Sequence, residues 1–341
     1  MFSPEVDEVI ASYGPERVER VHDPELGLTA FIVLDSTKLG PAAGGVRTTT
    51  YESEAAAVSD ACRLARSMTH KCALGGLDAG GGKAVVMAHD GLQREAAFEM
   101  LGLAINALAG DFRTAGDLGT TDADLAAIRR STRYVHTDTA NLAGMVGRGV
   151  LRCAEACADL KGRPGLFGLT AAVQGCGDIG AAVAKALHEA GATIRVADVD
   201  PARAEAVAAP LNATVVSPAE VLYESVDILA PCAVGDVINE ENVGGLRAWA
   251  VCGGANHIVA NEATHAALVA RGILYVPDML ASAGAVIEGI GRTVMGIDDR
   301  APLVDALRHT TRLVLEDAER AGRPPIELAL ERAATRIAQA G

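Results

Sequence analysis

A glycine-rich turn between an apolar strand and an alanine-rich helix is the feature that most constrains the fold of this chain. The turn reads Gly175-x-Gly177-x-x-Gly180, and the next strand ends in Asp198. Such a unit builds a parallel sheet and places the pyrophosphate of a dinucleotide at the helix N-terminus. We expect Gly175 to make the tight turn, Gly177 to let the backbone approach the pyrophosphate, and Gly180 to let helix and strand pack closely.

The same turn predicts which dinucleotide is bound. An acid at the position of Asp198 hydrogen-bonds the ribose hydroxyls and repels a 2′-phosphate, so the pattern favours NAD over NADP. Asp178 and Ile179 complete the predicted contacts of the turn. Two later segments follow strands, where cofactors bind in open α/β sheets, and they add the candidates Cys232, Ala233, Ala255 and Asn256. For Asn256, a hydrogen bond to the nicotinamide amide or ribose competes with an ordinary turn role.

The rest of the chain reads as an α/β protein. From about residue 147, short β-rich runs alternate with helical patterns, which indicates a doubly wound parallel sheet. Its predicted strands cover 170–174, 193–198, 213–216, 227–231, 248–252 and 273–277, and a helix over 149–160 precedes them. In the first half, predicted strands cover 30–34 and 84–87, and predicted helices cover 53–67, 94–109 and 122–130. Ser53 and Thr121 are the predicted caps of two of these helices.

Composition and charge disfavour several classes of function and indicate where the protein resides. The net charge of −14 disfavours nucleic acid and anionic membranes as partners. The acidic N-terminus is unlike a signal or transit peptide, and no apolar run reaches membrane-spanning length. The 7 cysteines are scattered without a CxxC pair, so neither a metal site nor a disulfide framework is expected. We therefore expect a cytoplasmic protein with reduced thiols.

A second glycine-rich segment runs from Lys71 to Lys83 and ends in three glycines followed by Lys83. It is not a phosphate-binding P-loop, because Asp78 stands where a glycine is required and Ala84 stands where Ser or Thr is required. Three glycines would let another molecule approach a loop closely. Two ammonium groups close together in a partly desolvated cleft would lower the pKa of one of them, which makes a lysine a base or a nucleophile. The alternative is a plain turn with solvated lysines.

Together these segments resemble the glutamate/leucine/phenylalanine/valine dehydrogenase superfamily. The matching motifs lie at 39–47, 68–71, 80–83, 115–121, 174–180, 231–233 and 275–288. The resemblance implies an N-terminal α/β domain for substrate binding and oligomerisation over 1–138, a doubly wound Rossmann NAD-binding domain over 139–318, and an active-site cleft between them. It further implies that 319–341 packs back on the first domain, and that the protein is a homo-oligomer.

The resemblance also implies residue roles. Lys71 is expected to hold the substrate α-carboxylate. Lys83 is expected to have a depressed pKa and to activate water. Asp117 is expected to shuttle protons to and from the substrate nitrogen. The implied reaction is NAD-dependent, reversible oxidative deamination of an apolar L-amino acid to its 2-oxo acid and ammonia. Such a reaction needs a cation for the carboxylate and groups that manage protons on water and on the departing ammonia.

The first motif bears on the substrate. Members that act on glutamate have a lysine where this chain has Ala43, so glutamate is disfavoured here. The adjacent Gly44 and Gly45 are the other predicted substrate contacts in this motif. Ala43 and Gly116 both indicate a roomy pocket, which favours a large apolar or aromatic side chain.

Two positions depart from the family pattern. Ser282 takes the place of an asparagine that helps to hold the substrate, and Asp78 takes the place of an asparagine before the triple glycine. A carboxylate at Asp78 is expected to raise the pKa of Lys83. Two alternatives follow: a dehydrogenase for tryptophan or another amino acid of secondary metabolism on the same scaffold, and a non-catalytic relative that binds NAD or an amino acid.

Overall fold

The computed structural model describes residues 2–137 and 141–340, which form two compact units. The first unit takes in residues 2–137, 289–297 and 334–340, and the second takes in residues 141–288 and 298–333. The segment 319–341, expected to pack on the first domain, is therefore divided. Its earlier part bonds within the second unit, and its last residues bond within the first.

Two side-chain hydrogen bonds agree with that division. Arg332 donates a hydrogen bond of 2.7 Å to Asp317 in the second unit. Arg336 donates one of 2.7 Å to the carbonyl of Ala73 in the first unit. The assignment of substrate binding, oligomerisation and NAD binding to separate domains stays a prediction.

The first unit is built on a mixed five-stranded sheet in the order β1-β2-β4-β3-β5. The pairs β1–β2 and β2–β4 are antiparallel, whereas β3 is parallel to both β4 and β5. The strands are β1 (Arg17–Asp23), β2 (Leu28–Ser36), β3 (Ala42–Thr49), β4 (Gly80–Met87) and β5 (Phe112–Gly116). Its N-terminal helices are α1 (Pro4–Tyr13), α2 (Glu54–Leu74), α3 (Arg94–Ala107) and α4 (Asp122–Ser131).

Helices cover both faces of this sheet and bury its apolar side chains. Alternate residues of β2 and β4 pack against α2, whose buried face is rich in alanine and lets the helix lie close to the strands. The opposite face packs against α3 and α4. Both predicted caps are confirmed: the Ser53 hydroxyl accepts from the amide of Ala56, and Thr121 and Asp124 form a capping box.

The triple glycine forms part of a strand, which corrects the prediction of a loop. Gly80, Gly81 and Gly82 open β4, and none of the three has positive φ. A Cβ on Gly80 would lie 1.8 Å from the carbonyl oxygen of Ser36, and one on Gly81 would lie 2.1 Å from the amide of Thr69. The glycines therefore let β4 pack closely against β2 and α2, rather than against another molecule.

The second unit is built on a six-stranded parallel sheet in the order β11-β10-β9-β6-β7-β8. Its strands are β6 (Thr170–Gln174), β7 (Thr193–Ala197), β8 (Thr214–Val215), β9 (Ile228–Pro231), β10 (Ala250–Val251) and β11 (Leu274–Tyr275), and each lies within a predicted run. The α/β fold class and the parallel doubly wound sheet are thus confirmed. The chain order reverses at β6, between β7 and β9, and ligands bind at such a switch point in open sheets.

Helices alternate with the strands of the second sheet and follow them to the C-terminus, and the last residues of two of these helices, 289–293 and 334–339, belong to the first unit. The first of them begins earlier than predicted, at Leu142 instead of Gly149. The helices are α5 (Leu142–Leu160), α6 (Asp178–Glu189), α7 (Pro201–Leu211), α8 (Glu262–Ala270), α9 (Asp278–Ala281), α10 (Ala283–Thr293), α11 (Ala301–Asp305), α12 (Leu307–Ala321) and α13 (Pro325–Gln339).

Candidate active site and cofactor turn

The first unit contains a buried ion pair between the two predicted catalytic residues. The Nζ of Lys83, on β4, lies 2.6 Å from Oδ2 of Asp117, which directly follows β5. The Lys83 side chain is only 7% exposed, and that of Asp117 is 26% exposed. A Cβ on Gly45 would lie 2.9 Å from the Cβ of Asp117. Glycine at position 45 is therefore what lets this carboxylate approach the sheet.

Burial sets the protonation behaviour of the pair. Desolvation lowers the pKa of Lys83, and this outweighs the opposite effect of the nearby Asp117. Desolvation would raise the pKa of Asp117, but the charges of Lys83 and Arg47 hold that pKa below its usual value. The direction for Lys83 is the predicted one, whereas the largest cause is burial and not a second ammonium group. A lysine in this state loses its proton more readily than an exposed lysine does, as a general base must.

The sequence interpretation missed two charged residues beside the pair. Arg47, on β3, donates from Nε to Oδ2 of Asp117 at 3.0 Å and from Nη1 to Oδ2 of Asp60 at 3.2 Å. Asp60 lies on α2. Arg47 ends the first motif and projects from the same face of β3 as Gly45, which is a signal that could have identified it. Nothing in the local sequence indicates that Asp60 is its partner.

The predicted substrate contacts of the first motif lie on β3. A Cβ on Gly44 would lie 1.7 Å from the carbonyl oxygen of Gly82, so this glycine is required by strand packing. Ala43 is 1% exposed. Lys71 lies in the last turn of α2, and α2 covers the face of β4 from which Lys83 projects. Contact of these residues with a substrate stays a prediction.

The expected influence of Asp78 on Lys83 is wrong. The Asp78 side chain is 72% exposed and pairs with Arg336 at 3.1 Å. The carboxylates that act on the pKa of Lys83 are those of Asp117 and Asp60. An exposed, paired carboxylate is screened by water and has little effect on a buried amine.

In the second unit, the three glycines of the turn have the geometry that the sequence predicted. Gly175 has φ of +93°, and a Cβ there would lie 2.8 Å from the Cβ of Ala233. A Cβ on Gly180 would lie 1.8 Å from the carbonyl oxygen of Gly175, so only glycine lets helix and strand pack this closely. Gly177 caps α6, and a Cβ there would meet nothing within 4 Å. A side chain on Gly177 would therefore project into open space beside a helix N-terminus, and this space suits a pyrophosphate.

Asp198 directly follows β7 and bonds to the same turn. Its carboxylate accepts from the amide of Cys176 at 2.6 Å and from the amide of Asp200 at 2.9 Å. These two backbone hydrogen bonds lower the pKa of Asp198, so the carboxylate is charged at neutral pH. Asp178 and Ile179 form the first turn of α6 beside it.

The remaining candidates follow β9 and β10 or lie on the short helix α9 and its C-cap. The Sγ of Cys232 accepts from the amide of Gly254 at 3.4 Å, and the amide of Ala255 donates to the carbonyl of Pro231 at 3.1 Å. The hydroxyl of Ser282 donates to the carbonyl of Asp278 at 2.7 Å and contacts Oδ1 of Asn256 at 3.5 Å. The structure thus brings Ser282 and Asn256 together.

Metal-binding clusters and membrane-spanning helices are both absent from the part of the chain that the structure describes. Across 2–137 and 141–340, there is no group of three or more His, Cys, Asp or Glu side chains arranged to hold a metal ion. No helix in those ranges is both long and apolar enough to span a bilayer. The seven cysteines are all unpaired thiols.

Comparison with known proteins identifies the family. Residues 15–134 match the profile of the Glu/Leu/Phe/Val dehydrogenase dimerisation domain, and residues 198–290 match that of glutamate/leucine/phenylalanine/valine dehydrogenase. A leucine dehydrogenase of Thermoactinomyces intermedius is 36% identical over 92% of this chain and 88% of its own length. A valine dehydrogenase of Streptomyces coelicolor is 36% identical over 96% of this chain and 93% of its own.

A solved structure shows the same likeness. The crystal structure of L-tryptophan dehydrogenase from Nostoc punctiforme matches with a TM-score of 0.89 and 33% identity, and the match covers 98% of this chain and 99% of that one. The chain belongs to the glutamate/leucine/phenylalanine/valine dehydrogenase family, as its motifs predict. It is an oxidoreductase of the amino-acid dehydrogenase class, whose members depend on NAD(P).

Proposed function

We propose that this protein catalyses the reversible oxidative deamination of an apolar L-amino acid with NAD, giving the 2-oxo acid, ammonia and NADH. The observation that carries the proposal is the ion pair of Lys83 with Asp117, in which a buried amine of lowered pKa meets a charged carboxylate at 2.6 Å. A purely structural ion pair gains nothing from an amine that is held ready to lose its proton, whereas proton-transfer chemistry requires one.

Each step of the reaction has a residue to serve it. Bound NAD supplies the acceptor for the hydride that leaves the substrate Cα. Lys71 anchors the α-carboxylate from α2, which covers the same face of the sheet as Lys83. As the Cα–H bond breaks, a C=N double bond forms. Water then adds to that carbon, with Lys83 accepting the proton of the water. Asp117, which took a proton from the substrate ammonium group before the hydride left, returns that proton to the nitrogen. The hydroxyl group on the carbon then gives its proton to Asp117 as the C=O bond forms, the C–N bond breaks and ammonia leaves.

The geometry of Asp198 supports NAD as the cofactor. Two backbone amides hold its carboxylate in place and keep it charged. A 2′-phosphate near this carboxylate would be repelled, whereas ribose hydroxyls can donate to it. The open space at Gly177 suits the pyrophosphate of the same molecule. Asp178, Ile179, Cys232, Ala233, Ala255 and Asn256 are the remaining proposed cofactor contacts.

Small residues in the first unit support a large apolar or aromatic substrate side chain. Ala43 cannot pair with a substrate carboxylate. A Cβ on Gly116 would meet only Leu125 of α4, at 3.4 Å, on the sheet face opposite Lys83, so the support rests on Ala43. Tryptophan is the second candidate, because the matching structure at TM-score 0.89 is named as a tryptophan dehydrogenase. Ser282 is proposed to bind the substrate where relatives have an asparagine. A homo-oligomer is also proposed, since a matching profile is that of a dimerisation domain. A cytoplasmic location is proposed because the cysteines are unpaired thiols.

The test is NADH formation at alkaline pH across a panel of L-Phe, L-Trp, L-Leu, L-Val and L-Glu, with NADP in parallel. We expect turnover of one or more of the apolar amino acids with NAD, and none with L-Glu. Lys83→Met should abolish it without loss of NADH binding. The matched control is Lys185→Met, because Lys185 is 67% exposed and pairs only loosely with Glu189, at 3.9 Å. NADH binding without turnover on any amino acid would favour a non-catalytic relative instead.

A further inference from the structure

Arg47 bridges two carboxylates that belong to different parts of the first unit. Its Nε donates to Asp117 at 3.0 Å, and its Nη1 donates to Asp60 at 3.2 Å. The Arg47 side chain is 21% exposed, so its charge is only partly screened by water. The guanidinium therefore links α2, through Asp60, to the proposed catalytic carboxylate.

The two cations that bind Asp117 share one oxygen atom. Both Lys83 Nζ and Arg47 Nε contact Oδ2. A carboxylate that is held from one edge by two donors on two strands has little freedom to rotate. The guanidinium fork is planar and rigid, so it fixes the orientation of the carboxylate better than an ammonium group can.

Asp60 is itself held by two further donors. The hydroxyl of Tyr51 donates to its Oδ2 at 2.9 Å, and Nη2 of Arg63 donates to its Oδ1 at 2.6 Å. Burial raises the pKa of Tyr51, which therefore stays protonated and donates throughout the working range of pH. Asp60 is thus a fixed anchor rather than a mobile surface carboxylate.

We propose that Arg47 is a positioning residue for the proton transfers of this enzyme, with Asp60 as its anchor. The proposal rests on the function proposed for Lys83 and Asp117. Arg47 aims the carboxylate of Asp117 at the amine of Lys83 and disfavours a proton on that amine by charge repulsion. Asp60 holds the guanidinium in place and acts on Lys83 in the opposite electrostatic sense.

Arg47 and Asp60 act on the pKa of Lys83 in opposite directions. Their replacement therefore gives a test whose expected result a merely structural role would not produce. The charged groups that act on Lys83 are Asp117 after β5, Arg47 on β3 and Asp60 on α2. Replacing Arg47 with Gln removes a cation, so the acidic limb of the kcat profile, on which kcat rises as Lys83 loses its proton, should move to higher pH. Asp60→Asn removes an anion, so the limb should move to lower pH. Each variant should also lower kcat, by about 10- to 100-fold for Arg47→Gln, which loses a hydrogen bond to a charged group.

One further variant separates the charge of Arg47 from its geometry, and a second serves as a control. Arg47→Lys keeps the charge but loses the fork, so the pH profile should stay near that of the wild type while kcat remains reduced. Arg20→Gln is the matched control, because Arg20 pairs with Glu54 near the N-terminus of α2 and is 32% exposed. It should change neither quantity. Unchanged kcat and pH profile in Arg47→Gln would overturn the proposal, as would shifts of the same sign in Arg47→Gln and Asp60→Asn.

A second readout keeps this proposal separate from the proposed function. Reductive methylation of Lys83 in the folded protein can be followed by mass spectrometry as a function of pH. The pH midpoint of this labelling can be measured without any substrate. It should rise in Arg47→Gln and fall in Asp60→Asn, even if no amino acid is turned over. If the wild type turns over no amino acid but the methylation midpoints shift as expected, the proposed reaction is refuted and the effect of Arg47 on the pKa of Lys83 is supported. Normal wild-type turnover without any shift would refute the role of Arg47.

Discussion

Two glycines of the cofactor turn should separate folding from dinucleotide binding when each is replaced with alanine. In Gly180→Ala the new methyl carbon would lie 1.8 Å from the carbonyl oxygen of Gly175, so the strand and helix must move apart by more than 1 Å. Overpacking of this kind costs about 1–3 kcal/mol or more. That is a large part of the roughly 5–15 kcal/mol by which domains are usually stable.

Gly177→Ala should behave in the opposite way. Its φ of −69° and ψ of −174° suit alanine, and no atom lies within 4 Å of the new methyl group. Alanine caps a helix less well than glycine, but it also lowers the entropy of the unfolded chain by up to about 1 kcal/mol. The net change in stability should therefore stay within about 1 kcal/mol. The methyl group occupies the space that a pyrophosphate needs, so NADH affinity should fall at least about tenfold.

The chain contains 1 tryptophan, which makes the assay direct. Trp249 donates to Asp227 at 2.9 Å in the second unit, so its fluorescence reports unfolding of the unit that carries the turn. Denaturant titration of that signal gives the free energy of unfolding, and calorimetric titration gives NADH affinity. If Gly177→Ala binds NADH as tightly as the wild type does, the placement of the pyrophosphate is refuted. If Gly180→Ala is as stable as the wild type, the packing argument is refuted.

Three other predictions follow from charged groups. Asp198→Asn should lower the preference for NAD over NADP at least about tenfold, measured as the ratio of kcat/KM values, and an unchanged ratio would contradict the proposed ribose contact. Asp117→Asn should lower the pKa of Lys83 further, because the carboxylate raises it, and should cut turnover at least about 100-fold. A higher methylation midpoint for Lys83 would contradict this. The two arginines of α5 hold the pKa of Asp305 at about 2, below its ordinary value. Its contribution to stability is therefore full above about pH 4 and is lost as the pH falls to about 2. Asp305→Asn should be less stable than the wild type at neutral pH, with a difference that shrinks across that window in denaturant titrations. A difference that stays constant would exclude this ion pair as the cause.

The second unit was largely predictable because its signals are local. A short apolar run, a turn glycine and an alanine-rich helix follow one another within a few residues, so each predicted strand from 170–174 to 273–277 overlaps an observed one. The turn glycines were predicted for the same reason: the conformation of Gly175 and the close approach at Gly180 depend on neighbouring segments.

The first unit was harder to predict because its key contacts join distant residues. The triple glycine suggested a loop, since nothing nearby shows that Ser36 and Thr69 would close on it. The hydrogen bond of Arg47 to Asp117 joins positions 70 residues apart, so no local pattern contains it. Burial of the Lys83 amine depends on the packing of α2 across the sheet, which composition cannot show.

The glycines of the first unit limit where its substrate preference can evolve. Backbone atoms close off Gly44, Gly80 and Gly81, so any side chain there would disrupt folding before selection could act on specificity. Gly116 differs, because a methyl group there would touch only Leu125, at 3.4 Å. A saturation library intended to change the amino acid that is oxidised should therefore leave the first three positions unchanged. A side chain at Gly116 would lie on the α4 side of the sheet, away from Lys83.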